Sequence, residues 1–153
     1  GDLTDEGLRE KNLSLTPENE KQFREEIRQS EGMDIYAKKA TPKIKAMLTT
    51  SDNLIIDGLY AWEEYILLDK EFPGVIVVYV FTEPQIRYKR LANRSVRPLT
   101  HEEARLRDFA EIERLNKSGP IAIADYLVEN NGSLEELHQK IDSLLARINF
   151  TSQ

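Results

Sequence analysis

Two kinds of residue in this chain have types and spacing suited to chemistry. The first is a carboxylate, Asp57, closing the stretch Asn53-Leu54-Ile55-Ile56-Asp57-Gly58. Three aliphatics in unbroken succession read as a strand buried on both faces. The carboxyl ends of such strands are where open α/β sheets gather their reactive groups. Asp57 would be delivered there, with Gly58 letting the chain turn away. Taken alone, the Asp-Gly pair favours a plainer role, the turn at an ordinary strand end. The second is a run of cations: Arg87, Lys89, Arg90, Arg94, Arg97, Arg105 and Arg107, interrupted only by Glu102 and Glu103. Arg87, Arg90 and Arg94 are three or four apart and share one helix face. Guanidinium groups grip phosphate oxygens in pairs and keep their charge. Such a run suits a polyphosphate whose charge grows during transfer, and it suits equally well a solvated face paired with Glu83, Glu102 and Glu103. A third feature is the Asn131-Gly132 turn between a short strand and a helix, which backbone geometry alone explains.

The elements that must position these residues alternate. Residues 1–10 read as a polar lead into a helix. Thr16-Pro17 caps and starts a helix that ends near Gly32. A second helix begins about Met33 and is interrupted or restarted at Thr41-Pro42. After the Asp57 strand, residues 61–70 read as a helix. Val75 to Phe81, unbroken, β-branched and aromatic, reads as a central buried strand. A helix starts at Pro84. Thr100-His101-Glu102-Glu103 is a capping box opening a helix to about Asn116, and Ser133-Leu134-Glu135-Glu136 opens the last one. Tyr126 to Val128 is a short strand between them. Strands alternating with helices predict an α/β protein with a parallel sheet.

The bulk numbers narrow the class. A chain of 153 residues, 40% hydrophobic and 31% charged, fits a single globular domain. Its net charge of -6 argues against nucleic acid or a membrane surface as partner. No apolar run is long enough to span a bilayer. The absence of cysteine fits a cytoplasmic protein, and two distant histidines do not make a histidine metal site.

In their order, these pieces resemble a known family. The run ADYLVENNGSLEELHQKIDSLL (124–145), preceded by the arginine spacing 87, 90, 94, 97 and by Arg107-Asp108-x-x-Glu111, is similar to the carboxyl half of dephospho-CoA kinases. It is more similar still to the wider set of dephospho-CoA-kinase-like P-loop nucleotide kinases. Gly1-Asp2-Leu3, Leu15 to Asn19, Arg28 and Gly32 resemble their acceptor-binding region, and Ile55 to Gly58 with Glu63-Glu64 their third strand and its exit. The resemblance implies an α/β fold, the three-layer parallel sheet of P-loop nucleotide kinases, without its first strand and phosphate loop. Within a single domain, 1–153, it implies acceptor-binding helices at about 1–50, core elements at about 53–93, an arginine-rich lid at about 87–117, and a base-side strand and helix at about 121–150.

By the same resemblance, Asp57 would lie near the magnesium ion and the transferring phosphate. Arg94 and Arg97 would act on that phosphate from the lid. Arg90, Asn131 and Gly132 would bind the nucleotide, and Asp2, Arg9 and Arg28 would face the acceptor. The implied cofactor is Mg2+ with ATP. The implied partners are ATP and a small phosphorylated or hydroxyl acceptor, with no nucleic acid and no membrane.

The chain departs from the family in carrying no G-x-x-x-x-G-K-[ST], and Asp5 and Tyr60 stand where relatives often have arginines. A phosphotransferase inactive as this chain alone is therefore expected. Two alternatives stay open: a degenerate kinase-fold module that binds a nucleotide or a protein without transfer, and a strand-sharing interaction protein. In the second, a homo-oligomer would supply the absent strand in trans.

Overall fold

The computed structural model describes residues 2–148, apart from the side chains of Asp2 and Pro17. The chain divides into two compact units, 1–75 and 76–153.

The first unit is helical. Its elements are α1 (Asp2–Glu10), α2 (Pro17–Glu31), α3 (Ile35–Met47) and α4 (Trp62–Glu71). The start of α2 follows its local signal: Thr16 Oγ1 accepts the Asn19 N–H at 3.2 Å, with Pro17 in the first turn and Gly32 as C-cap at φ 103°. α3 runs through Pro42 instead of breaking there, and Thr41 Oγ1 donates to the Ala37 carbonyl at 2.8 Å just before the proline. Leu8, Phe23, Ile27 and Ile35 form one buried cluster, with Tyr36 against it. α1 and α2 approach so closely that a Cβ on Gly7 would fall 2.1 Å from Phe23 Cζ. Ala37, Ile44 and Leu68 form a second cluster, covered by Leu54, Leu59, Leu67 and Phe72.

The expected strand at 54–57 is not there. Residues 53–61 run without regular structure, and Ile55 and Ile56 are 69% and 45% exposed. A strand needs neighbours for its N–H and C=O groups and cover for both faces. Among the described residues no strand pairs with 54–57, and of its aliphatics only Leu54 packs against a buried cluster.

The second unit holds the sheet. Its elements are β1 (Val78–Phe81), α5 (Pro84–Ala92), α6 (His101–Leu115), α7 (Ser118–Ala122), β2 (Tyr126–Glu129) and α8 (Leu134–Arg147). β1 and β2 pair in parallel with Val78 opposite Tyr126 and Phe81 opposite Glu129. Asp125 extends the pairing, its Oδ2 accepting the Val77 N–H at 2.8 Å. Both capping boxes form as expected: Thr100 with Glu103 opens α6, and Ser133 with Glu136 opens α8. β1 is four residues long and has one neighbour among the described residues, where it is neither central nor buried.

The fold is therefore predominantly helical with a small, open two-stranded sheet, and not the three-layer sheet of a P-loop kinase. No described helix is long and apolar enough to cross a membrane.

Candidate functional site

Asp57 is exposed on the irregular segment of the first unit, followed by Gly58 at φ 99°. No strand end presents it, so the structure gives it no sheet edge from which to work. Arg9 is exposed in the last turn of α1, where its charge complements the helix dipole. The side chain of Asp2 lies outside the described residues.

Arg28 is the candidate whose surroundings are most specific. It projects from α2 and is nine-tenths buried, with Nη2 donating to Glu64 Oε1 at 3.1 Å. The Tyr36 ring lies 4.7 Å from the guanidinium carbon, and Arg28 Nε is buried without a partner. Tyr36 in turn shares a 3.1 Å hydrogen bond with Thr4 Oγ1, and burial raises its phenol above the ordinary value. Glu64 also closes the start of α4: its Oε2 accepts the N–H groups of Tyr60 and Ala61, both at 3.0 Å. The pair ties α2 to the entry of α4. Two cavities on this unit are lined around Phe23 and Glu26, away from Arg28.

In the second unit the structure brings together Arg90, Asn131 and Gly132. Arg90 donates to the carbonyls of Asn130 (2.6 Å), Asn131 (3.3 Å) and Gly132 (2.7 Å) and to Asn130 Oδ1 (3.1 Å). Asn131 spans back to the start of α5, its Oδ1 accepting the Glu83 N–H at 2.9 Å and its Nδ2 donating to Glu83 Oε1 at 3.0 Å. The guanidinium clamps the β2–α8 turn. Arg90→Ala is expected to cost about 1 kcal/mol, discounted for its exposure. Hydrogen exchange confined to residues 130–133 would check this, and unchanged protection there would show the clamp to be idle.

Arg94 and Arg97 stand exposed on the loop between α5 and α6, Arg97 with a left-handed φ of 53°. Arg87 reaches across to α6, donating to Asp108 Oδ2 and to the Thr82 carbonyl at 3.1 Å. Asp108 Oδ2 also accepts the Tyr88 hydroxyl at 2.5 Å, and that bond, with burial, raises the Tyr88 phenol above its ordinary value. Glu64, Asp108 and Glu83 are partners that the sequence does not assign to Arg28, Arg87 and Asn131. They lie 36, 21 and 48 residues from Arg28, Arg87 and Asn131, too far for any local pattern to couple them.

Glu111 offers a pH handle. It accepts from Arg107 Nε at 3.0 Å and from Lys117 Nζ at 2.5 Å. Burial pushes its carboxyl up, but Lys117 and then Arg107 outweigh this and hold it below the ordinary value of 4.5. A depressed folded value means the contribution is complete above 4.5 and is lost as pH falls through the depressed value. Glu111→Gln is expected to flatten the acid limb of stability below pH 4.5. Denaturation at pH 3–6 with and without the substitution would check it, and parallel curves would refute the linkage.

Among the described residues, no group of three or more acidic or histidine side chains is placed to hold a metal ion. No family model matches the chain. It is 36% identical over 152 residues to a UPF0200 protein of Thermococcus kodakarensis, covering 97% of this chain and 82% of that one. It is 34% identical over 152 residues to one of Thermococcus gammatolerans, covering 97% and 80%. A UPF0200/UPF0201 protein of Archaeoglobus fulgidus is 32% identical over 151 residues, covering 97% of this chain and 46% of that one.

These matches, with the helical fold, overturn the resemblance to dephospho-CoA-kinase-like P-loop kinases. The phosphotransferase assignment falls with it, as do Mg2+ with ATP as cofactor and ATP with a phosphorylated or hydroxyl acceptor as partners. The degenerate kinase-fold module falls for the same reason. The strand-sharing protein falls with them, since the strand to be supplied in trans was the one absent from a kinase sheet, and the described residues form no such sheet. The chain belongs to the UPF0200 family.

Proposed function

We propose that this chain is an interaction component, burying the open apolar surface of its 76–153 unit against another protein surface. The sheet carries this reading. Val78 and Val80 alternate onto one face, which the parallel register shares with Tyr126 and Val128. α8 packs on β2 and shades that half of the face, Arg147 lying 5.0 Å from the Tyr126 ring centre and Val128 being buried. The β1 half is open, with Val80 48% exposed. On the other face Leu127 is 62% exposed. Parallel sheets in folded proteins are covered on both faces, and a two-stranded sheet is marginal without such cover. Contiguous exposed apolar surface marks a place where proteins meet. The docking is side chain against side chain, across a face, and needs no inserted strand.

Val80→Lys combined with Leu127→Lys tests this. Both positions are exposed, so each substitution is expected to cost no more than about 0.5 kcal/mol of folding stability. The native protein is expected to bind a hydrophobic dye and to self-associate or associate in sedimentation velocity, and the double variant to lose most of both. A native protein that binds no dye and sediments as a monomer throughout would sink the reading.

A further inference from the structure

Beyond that reading, we infer that a second copy of this chain docks through α6 as an antiparallel helix pair about a two-fold axis at Phe109. The helix has two distinct faces. Ala104 is buried, Asp108 is engaged by Arg87 and Tyr88, and Glu111 is held by Arg107 and Lys117, so this side is used within the unit. On the opposite side Leu106, Phe109 and Ile112 are all exposed, Phe109 at 45%.

The order of charges on the outer face selects the partner. Arg105, Phe109 and Glu113 form one row at i, i+4, i+8, with the Arg105 guanidinium carbon 5.1 Å from the Phe109 ring centre. Leu106 and Ile112 flank Phe109, three residues before and three after. The row is positive at one end and negative at the other. Laid against a second copy in parallel, it would set like charge on like charge. Laid antiparallel about Phe109, it sets Arg105 against the partner subunit's Glu113 and Leu106 beside the partner subunit's Ile112, and brings the two Phe109 rings together. Rows spaced by four residues lie side by side when two helices cross at about −50°, the commonest packing angle in globular proteins. The two-fold relation means every such contact occurs twice. With a few apolar side chains from each copy, the pair is expected to be weak, with a Kd on the order of 10–100 μM.

Sedimentation velocity of the full chain from low micromolar to millimolar concentration tests the inference. The mass is expected to climb from 17.7 kDa towards twice that value. Arg105→Glu and Glu113→Arg are each expected to raise the midpoint concentration about tenfold or more, since each sets like charges together. The combined swap is expected to return it to within about threefold of the native value. Thermal melts check that all three variants fold. Association unchanged by the single swaps, or not restored by the double, would overturn the α6 pairing. If Val80→Lys with Leu127→Lys abolishes association while Arg105→Glu does not, the α6 pairing fails and the sheet reading stands. A native chain that stays monomeric but binds dye likewise defeats only the self-pairing. One that stays monomeric and binds no dye defeats both.

Discussion

Glu64→Ala is expected to destabilise the 1–75 unit by about 3–5 kcal/mol, the usual cost of leaving one member of a buried ion pair alone. The substitution strands the Arg28 charge in a site where its side chain is 9% exposed. It also removes the acceptor for the N–H groups of Tyr60 and Ala61, and Ala61 is fully buried. Trp62 is the single tryptophan of the chain and sits in the first turn of α4, so its fluorescence reports on this element directly. Urea unfolding followed at Trp62 should show a midpoint lowered by more than about 1 M, given the small m-value of so small a unit. Arg28→Met with Glu64→Leu should cost much less than Glu64→Ala, because removing both charges leaves none stranded. A loss below about 1 kcal/mol for Glu64→Ala alone would show that the pair does not hold the unit together.

Leu8→Ala is the second large effect, about 3 kcal/mol from lost transfer energy and the cavity left behind. Leu8 is wholly buried among Phe23, Ile27 and Ile35. The neighbouring Gly7 already lets α1 sit as close to the Phe23 ring as backbone allows, so α1 has little room to shift in and fill the void. The melting temperature of the unit is expected to fall by about 10–20 °C. Leu127→Ala, by contrast, should change stability by no more than about 0.5 kcal/mol, since Leu127 is exposed. Equal effects at the two positions would contradict the burial on which both expectations rest.

The helices were legible because their signals are local. Thr16 with Pro17, Thr100 with Glu103 and Ser133 with Glu136 are each decided within one turn, and all three start where their side chains say. α4 was legible from its apolar spacing, but Glu64 was not recognised as its cap, because Ala61 offers no hydroxyl to complete the pattern. The strand at 54–57 misled for the opposite reason. An apolar run states that cover is needed, and only the rest of the chain decides whether cover and a ladder are supplied.

The arginines show the same division. The family resemblance groups Arg90 with Asn131, and the structure joins them through the turn's own carbonyls. The resemblance turns Arg28 towards an acceptor, and the structure sets it against Glu64 and Tyr36.

By itself the sequence determined where α2, α4, α5, α6 and α8 begin, that β2 exists, and that positive charge gathers between Arg87 and Arg107, while α1, read as a polar lead, and α7 went unread. Each of these depends on residues within about four positions of one another. Tertiary structure decided which apolar runs became strands, which faces stayed open, and what each arginine grips. Those outcomes depend on partners 21 to 48 residues away, and such partners are chosen by packing and desolvation, which no local pattern records.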